Sequence, residues 1–340
     1  LEEFMGQNSS IEWTDHTFNP WVGCIKVSPG CKNCYAEELM TRKGRWANTW
    51  GPAQITERIK TSADNWRKPL AWNKQAEKEG KRYKVFCASL ADVFEDNDQL
   101  IDWRLDLFEL MKSTPMLDWQ ILTKRPDVAR LFFRLRSDYL LPNIWMGTSV
   151  ENQEYADKRI PELLQIPAVV RFLSVEPLLG PVDLWSAHYS WPNGGSGLGS
   201  AFAWGQGINW VIVGGESGPK ARPMHPQWVR DLRDQCHEAG VAFFFKQHGE
   251  WISKPEIADL TDGRWRVRPE WLPITQGKRW GCLSIDGKYR PETPTWKGRQ
   301  NDPQDDYEVI VYAVGKHAAG RMLDGRTWDE FPQSSGVMVF

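Results

Sequence analysis

Long apolar runs are missing from this chain: nothing approaches the ~20 consecutive apolar residues that a transmembrane helix needs. No membrane partner is therefore expected. An excess of either charge is missing too, since 42 basic and 44 acidic residues leave a formal net charge of -2. No global basic field advertises nucleic acid, although a local basic patch stays open. No secretory leader is expected either. Leu1-Glu2-Glu3-Phe4 precedes Met5 and reads as an expression remnant, with translation starting at Met5. Residues 1–10 are expected to be that remnant and an N-terminal tail, and the protein to be cytoplasmic. In a reducing compartment the six cysteines serve as ligands or buried thiols rather than disulfides.

What the chain has in quantity is tryptophan, 20 residues of it. Trp46, Trp50, Trp191, Trp251, Trp265, Trp280 and Trp296 fall outside any clear amphipathic pattern. Interlayer packing is the favoured reading of these rings. The alternative is a stacking surface for bases, of the kind used by single-strand binders and base-flipping enzymes.

Cysteine is concentrated where it is found. Three of the six lie in the spacing Cys24-x6-Cys31-x2-Cys34, with a Pro29-Gly30 turn between the first two. Three thiols so close in sequence suggest one ligand cluster. A closed structural zinc site takes four protein ligands, whereas a catalytic zinc keeps a position open. A four-iron cluster on three thiolates likewise leaves one iron free. After Cys34, residues 35–44 read as a helix with Leu39 and Met40 inward and Gly44 at its end. Cys34 would then sit at a helix N-terminus, where the macrodipole favours a thiolate. Cys87 and Cys236 read as core thiols, and Cys282 carries no clear signal. His16 reads as a core or solvated histidine rather than a fourth ligand.

A βα rhythm runs through the first three quarters of the chain. A short strand within residues 11–22 precedes the cysteines, and six further strands are expected at 83–90, 119–123, 143–150, 169–175, 209–214 and 241–246. Helical spacing follows several of them: Leu100, Trp103, Leu107 and Met111; Val128, Leu131, Phe132 and Leu135; Tyr155, Ile160, Leu163 and Leu164; Val229, Leu232 and Cys236. About seven such units predict an α/β fold, a partial or full parallel βα barrel spanning 11–249. Residues 186–207, rich in Gly and Ser, read as a surface insertion. Residues 250–340 lose the rhythm and read as a C-terminal appendage packing on the barrel.

In a parallel barrel the loops after the strands build the active site. The residues at those ends are Ser89 and Asp92; Thr123, Lys124 and Arg125; Thr148, Ser149, Glu151 and Asn152; Ser174 and Glu176; Gly214, Gly215, Glu216 and Ser217; Lys246, Gln247 and His248. Their recurrence at six strand ends predicts one shared mouth. Gly214-Gly215-Glu216-Ser217-Gly218 lacks the spacing of a dinucleotide fingerprint, so NAD is not implied. It reads either as a backbone approach to a ligand or as a tight βα turn with a capping serine.

The cysteine stretch with Tyr35-Ala36-Glu37 after it, and Ile11–Asp15 and Phe18–Trp21 before it, resembles the phage-associated three-cysteine radical SAM family. The blocks SLADVFED, LTKRP, GTSVENQ, SVEPLLGP, GGESG and VGKHAAGRMLDGRTWDEFP extend the resemblance over nearly the whole chain. The commonest radical SAM spacing has three residues between the first two cysteines where this chain has six.

The resemblance implies a [4Fe-4S] cluster on Cys24, Cys31 and Cys34, with S-adenosyl-L-methionine (SAM) on the free iron. It implies cofactor contacts from Tyr35, Thr148, Ser149, Glu176, Gly214, Gly215 and Glu216. Some phage members look tied to thymidine hypermodification of DNA in the host cytoplasm. There the implied step turns thymine-linked Nα-glycine into the Cα-linked isomer, with an external electron donor. Asp92, Lys124, Arg125, Glu151 and Lys246 are candidates for binding such a substrate, and Lys124 and Lys246 are the candidates for catalysis. Basic runs at Lys297-Gly298-Arg299 and Arg264–Arg268 are candidates for a DNA face. A radical SAM lyase or repair enzyme on a DNA base is the runner-up, followed by a non-enzymatic iron–sulfur nucleic-acid binder.

Overall fold

The computed structural model describes residues 9–42, 47–185, 188–190, 196–198, 201, 207–261, 264–267, 269–276, 278–291 and 308–332. Gly44, Trp46, Trp191, Arg268, Trp296, Lys297 and Arg299, with most of the expected 186–207 insertion, lie outside the described residues.

Seven parallel strands form the central sheet: β1 (His16–Phe18), β2 (Tyr83–Cys87), β3 (Leu117–Thr123), β4 (Ile144–Ser149), β5 (Val170–Val175), β6 (Trp210–Gly214) and β7 (Ala242–Gln247). Their spatial order follows their sequence order without a reversal. Each crossover therefore steps the same way, and right-handed crossovers then put every helix on one face. The other face turns inward. Among the described residues β1 and β7 do not pair, so the sheet is a partial parallel βα barrel.

Side-chain alternation separates the two faces. Val85 and Cys87, Trp119 and Ile121, Ile144 and Met146, Leu173 and Val175, Val211 and Val213 pack outward on the helices. Phe86, Trp145, Phe172, Trp210, Ile212 and Phe244 point inward and form a separate aromatic cluster with Trp13. Trp13 meets Phe86 edge-on at 4.6 Å and Trp210 at 6.0 Å. Gly147 on β4 lies under Phe172, whose ring would stand 2.3 Å from an added Cβ. This cluster is the floor of the barrel.

The outer helices are α1 (Tyr35–Arg42), α2 (Ala63–Glu79), α3 (Ile101–Lys112), α4 (Pro126–Leu135), α5 (Gln153–Leu164) and α6 (Pro226–Glu238). Local chemistry sets their ends. Asn152 caps α5 by accepting from the Tyr155 amide, and Ser62 caps α2 through the Asn65 amide. Pro126 and Pro226 occupy first-turn positions, where no amide is needed. On α4 the buried stripe is Pro126, Ala129 and Phe133, so Leu131 (49% exposed) and Leu135 (80% exposed) face outward, unlike the expected stripe. A helix starting at Pro126 turns those two leucines away from the sheet.

After β7 come β8 (Trp251–Ser253), β9 (Trp280–Ser284), β10 (Tyr289–Pro291) and β11 (Glu308–Ala313). They form an antiparallel sheet in the order β8-β11-β9-β10. Residues 320–331 then return to the barrel. Phe245 donates its amide to the Trp328 carbonyl at 2.9 Å, and the Glu330 amide reaches the Phe243 carbonyl at 3.2 Å. Phe331 packs on Trp210 at 5.2 Å and on Phe244 at 5.7 Å. The C-terminal segment thus covers the open edge at β7. No helix of the described residues is long and apolar enough to cross a membrane.

Tryptophan serves packing wherever it is described in the core. Trp251 is buried, donates to the Ala221 carbonyl at 2.8 Å and lies under Arg279. Trp50 packs with Val22, Met40 and Leu90 beneath the cysteine stretch.

Candidate active site at the barrel mouth

Because the seven strands are parallel, their C-terminal ends all open on one side. The chain leaves β1 at Phe18 and runs straight into the cysteine loop, so the loop starts at that mouth. Gly23 begins it with a φ of 115°, and its amide donates to the Leu90 carbonyl at 3.0 Å. A side chain at Gly23 would meet the Thr49 carbonyl at 2.4 Å, so only glycine fits. The Cys24 carbonyl accepts from the Gly51 amide at 3.1 Å. The segment carrying Thr49 and Gly51 is held in turn by the buried Arg58–Glu95 ion pair.

Three carboxylates from the strand ends then hold the loop. Asp92, after β2, accepts from Thr123 Oγ1 at 2.6 Å, from the Lys124 amide at 3.0 Å and from Arg125 Nη1 at 2.8 Å. Arg125 in turn donates to the Ile25 carbonyl at 2.9 Å and reaches Cys24 Sγ at 3.9 Å. Glu151, after β4, accepts from Ser28 Oγ at 2.6 Å and from Arg159 at 2.8 Å. Glu216, after β6, accepts from Asn33 at 3.1 Å and is gripped by Arg222, which also reaches the Pro29 carbonyl at 3.0 Å. The loop is pinned at its start, middle and end.

Cys34 stands immediately before α1, and its carbonyl accepts from the Glu38 amide at 3.1 Å. Burial pushes the Cys34 thiol up, against the amides of Glu37 and Ala36 and the nearby Lys124. Burial pushes Cys24 up to about 12, reinforced by Asp92 and opposed by Arg125. Both shifts favour the protonated thiol, and any metal must displace those protons. Ser28 Oγ lies 3.7 Å from Cys31 Sγ.

Among the described residues no three His, Cys, Asp or Glu side chains stand close enough to hold one metal ion. A mononuclear site is not preformed. The donor chemistry, three thiols on one pinned loop, fits an iron–sulfur cluster, which is held by thiolates and spreads them wider than one ion does. His16 is remote in character: it is buried against Trp72 at 4.4 Å and Tyr83 at 5.0 Å.

The remaining mouth residues fall into two groups. Lys124 donates to Ser149 Oγ at 3.1 Å, and Lys246 pairs with Glu176 at 2.8 Å. Gln247 joins Glu176 at 3.0 Å and Ser217 at 3.0 Å. By strand alternation Lys124, Ser149, Glu176 and Lys246 continue the inward-facing positions of their strands. Among the described residues Lys124 has no carboxylate partner. The second group is closed into the scaffold. Thr148 donates to the Thr123 carbonyl at 2.9 Å. Gly215 is packed so tightly that an added Cβ would fall 1.9 Å from the His248 carbonyl oxygen, while at Gly214 it would stand 3.1 Å from Glu176. Tyr35 belongs to neither group: its ring is exposed, and its hydroxyl donates to the Ser89 carbonyl at 2.8 Å. Ser28, Asn33, Arg159 and Arg222 hold the loop but carry no strand-end signature. Two of them sit inside the cysteine stretch itself, which was the available hint.

A family model described as a protein of unknown function, DUF5131, matches residues 8–332. The chain belongs to that family. Comparison with curated proteins finds no match. Among solved structures, a spore photoproduct lyase double mutant with bound AdoMet and dinucleoside spore photoproduct aligns at 14% identity and a TM-score of 0.39. That alignment covers 88% of this chain and 68% of that one. A second spore photoproduct lyase mutant aligns at 13% identity and a TM-score of 0.38, covering 76% and 69%.

Proposed function

We propose that this DUF5131 member is a radical SAM enzyme acting on a DNA base, and more narrowly an isomerase that converts Nα-glycyl-thymidine to its Cα-linked form. The observation that carries the reading is the three-thiol loop pinned across the mouth of a parallel barrel. Cys24, Cys31 and Cys34 would hold a [4Fe-4S] cluster, and Ser149 and Glu176, which meet Lys124 and Lys246 at the strand ends, would be the nearest candidates for contact with SAM. When bound, the cluster and SAM supply a 5′-deoxyadenosyl radical able to take the glycyl Cα hydrogen.

The protein's own contribution is binding and shelter. Lys124 is the better candidate of the two lysines for a substrate carboxylate or phosphate, because Lys246 is already neutralised by Glu176. Asp92, Arg125, Glu151 and Glu216 act from behind the loop, holding the thiols in place. The aromatic floor closes the lumen below the mouth. A thymine inside duplex DNA would have to be flipped out to reach that space.

Anaerobic reconstitution, reduction and addition of SAM is the direct test. 5′-Deoxyadenosine should form; its absence with substrate present sinks the radical reading. Cys24→Ala, Cys31→Ala or Cys34→Ala should each remove the cluster's visible absorbance. Mass spectrometry of nucleosides from treated DNA separates the narrower claims: isomerisation changes retention at constant mass, whereas a mass loss marks a lyase.

A further inference from the structure

Of the three carboxylate anchors, only one reaches a sulfur of the loop through its cation. Glu216 works through Arg222 on the Pro29 carbonyl, and Glu151 works directly on Ser28. Asp92 works through Arg125, whose Nη1 is shared between Asp92 Oδ2 at 2.8 Å and Cys24 Sγ at 3.9 Å. Its Nη2 is spent on the Ile25 carbonyl at 2.9 Å, which fixes the plane of the fork. The guanidinium cannot swing away, because Asp92 is itself saturated by Thr123, Lys124 and Phe94. Both members of the pair are buried. A positive charge and an N–H donor are thereby fixed beside one thiol, and no other cation of the described residues touches Cys31 or Cys34 by a hydrogen bond.

We propose that Arg125, oriented by Asp92, is a positioning residue that sets the reduction potential of the group held by Cys24. The inference rests on the cluster reading above. Reduction adds one negative charge to a cluster, and hydrogen bonds to its sulfurs together with nearby charge set its potential. A fixed guanidinium on one ligand favours the reduced form. Its removal makes the group harder to reduce.

The same carboxylate that orients Arg125 also accepts the Lys124 amide, and Lys124 reaches Ser149 in the lumen. The ligand side and the lumen side of the mouth therefore share one anchor. A change at Asp92 moves both, and a change at Arg125 moves the sulfur side alone.

The experiment is a redox titration of the reconstituted wild-type protein beside Arg125→Gln, Arg125→Lys and Arg222→Gln, followed by the electron paramagnetic resonance of the reduced cluster. Arg125→Gln should shift the midpoint to more negative values by at least a tenfold change in the reduced-to-oxidised ratio, about 59 mV for one electron. Arg125→Lys keeps the charge but lacks a fork that can hold Asp92, Ile25 and the sulfur together, so an intermediate shift is expected. It also keeps Asp92 paired, which makes it the informative variant if Arg125→Gln does not fold. Arg222→Gln loosens the loop without touching a thiol and should leave the potential unmoved. An unmoved midpoint in both Arg125 variants overturns the inference, and so does an equal shift in Arg222→Gln, which would mark a merely structural role. If the wild-type protein takes up no cluster, the cluster reading itself fails. If it takes up a cluster and cleaves SAM while the Arg125 variants titrate like wild type, only this inference fails.

Discussion

A methyl group added to Gly30 would fall 2.4 Å from Glu151 Oε1 and 2.5 Å from its Cγ. That carboxylate is buried and cannot retreat, because Arg159 and Ser28 hold both of its oxygens. Gly30→Ala should therefore displace the loop and cost about 1–3 kcal/mol of stability. Lower iron per chain after reconstitution, with an earlier thermal midpoint of the metal-free protein, is the expected measurement. Glu151→Ala goes further, since it leaves the Arg159 guanidinium buried without its partner. A loss of about 3–5 kcal/mol is expected, and Glu151→Gln should recover part of it. Residue types at the strand ends are legible in the sequence, and so is the mouth they share. Their partners are not. Asp92, Glu151 and Glu216 look alike as carboxylates after strands. Only the register of the sheet shows that their oxygens face the loop, whereas Glu176 faces Lys246.

At the scale of elements, the strands are legible because parallel strands buried on both faces read as near-continuous apolar runs. YKVFC, WVIVG and AFFFK leave little room for another reading. Helix α2 is harder to see. It is 17 residues long and largely polar, with Pro69 inside and only Trp72 and Ala76 as buried apolar side chains beyond that proline. Its stability comes from its cap and its contact with the sheet more than from an apolar stripe. The C-terminal segment is equally hidden, because VGKHAAGRMLDGRTWDEFP shows no strand periodicity. Its fit comes from single side chains, above all Phe331 against Trp210 and Phe244. Lys84 lies over the outer face of that ring at 5.0 Å. Phe331 keeps 39% exposure, so Phe331→Ala should cost less than a core phenylalanine, about 1–2 kcal/mol. Urea denaturation of the metal-free protein measures it.

At the scale of the molecule, one histidine ties the barrel to its C-terminal cover. His248, at the end of β7, donates Nε2–H to the Met322 carbonyl at 2.7 Å, while its amide donates to the Gly320 carbonyl at 3.1 Å. Burial pushes its pKa down to about 4. The unfolded chain then binds the extra proton first as pH falls, so the stability His248 contributes is complete above about 6.5. It is lost progressively as pH drops from there through about 4, and on the order of 2 kcal/mol should be gone at pH 5. His16, also held low by burial, adds with the same sign. Denaturation midpoints of the metal-free protein at pH 7 and pH 5 test this, and His248→Gln should flatten the difference. An unchanged slope in that variant would assign the acid sensitivity elsewhere.

The covering of β7 also bears on how the protein is made. A ribosome delivers β7 long before it delivers Trp328, Asp329 and Glu330, which bond to that strand's backbone. Until they emerge, the nascent sheet carries an unpaired edge of the kind that recruits other chains. A stalled or clipped chain ending before residue 320 would keep that edge. Such fragments should gather in inclusion bodies even though every barrel strand and all three loop cysteines are already present.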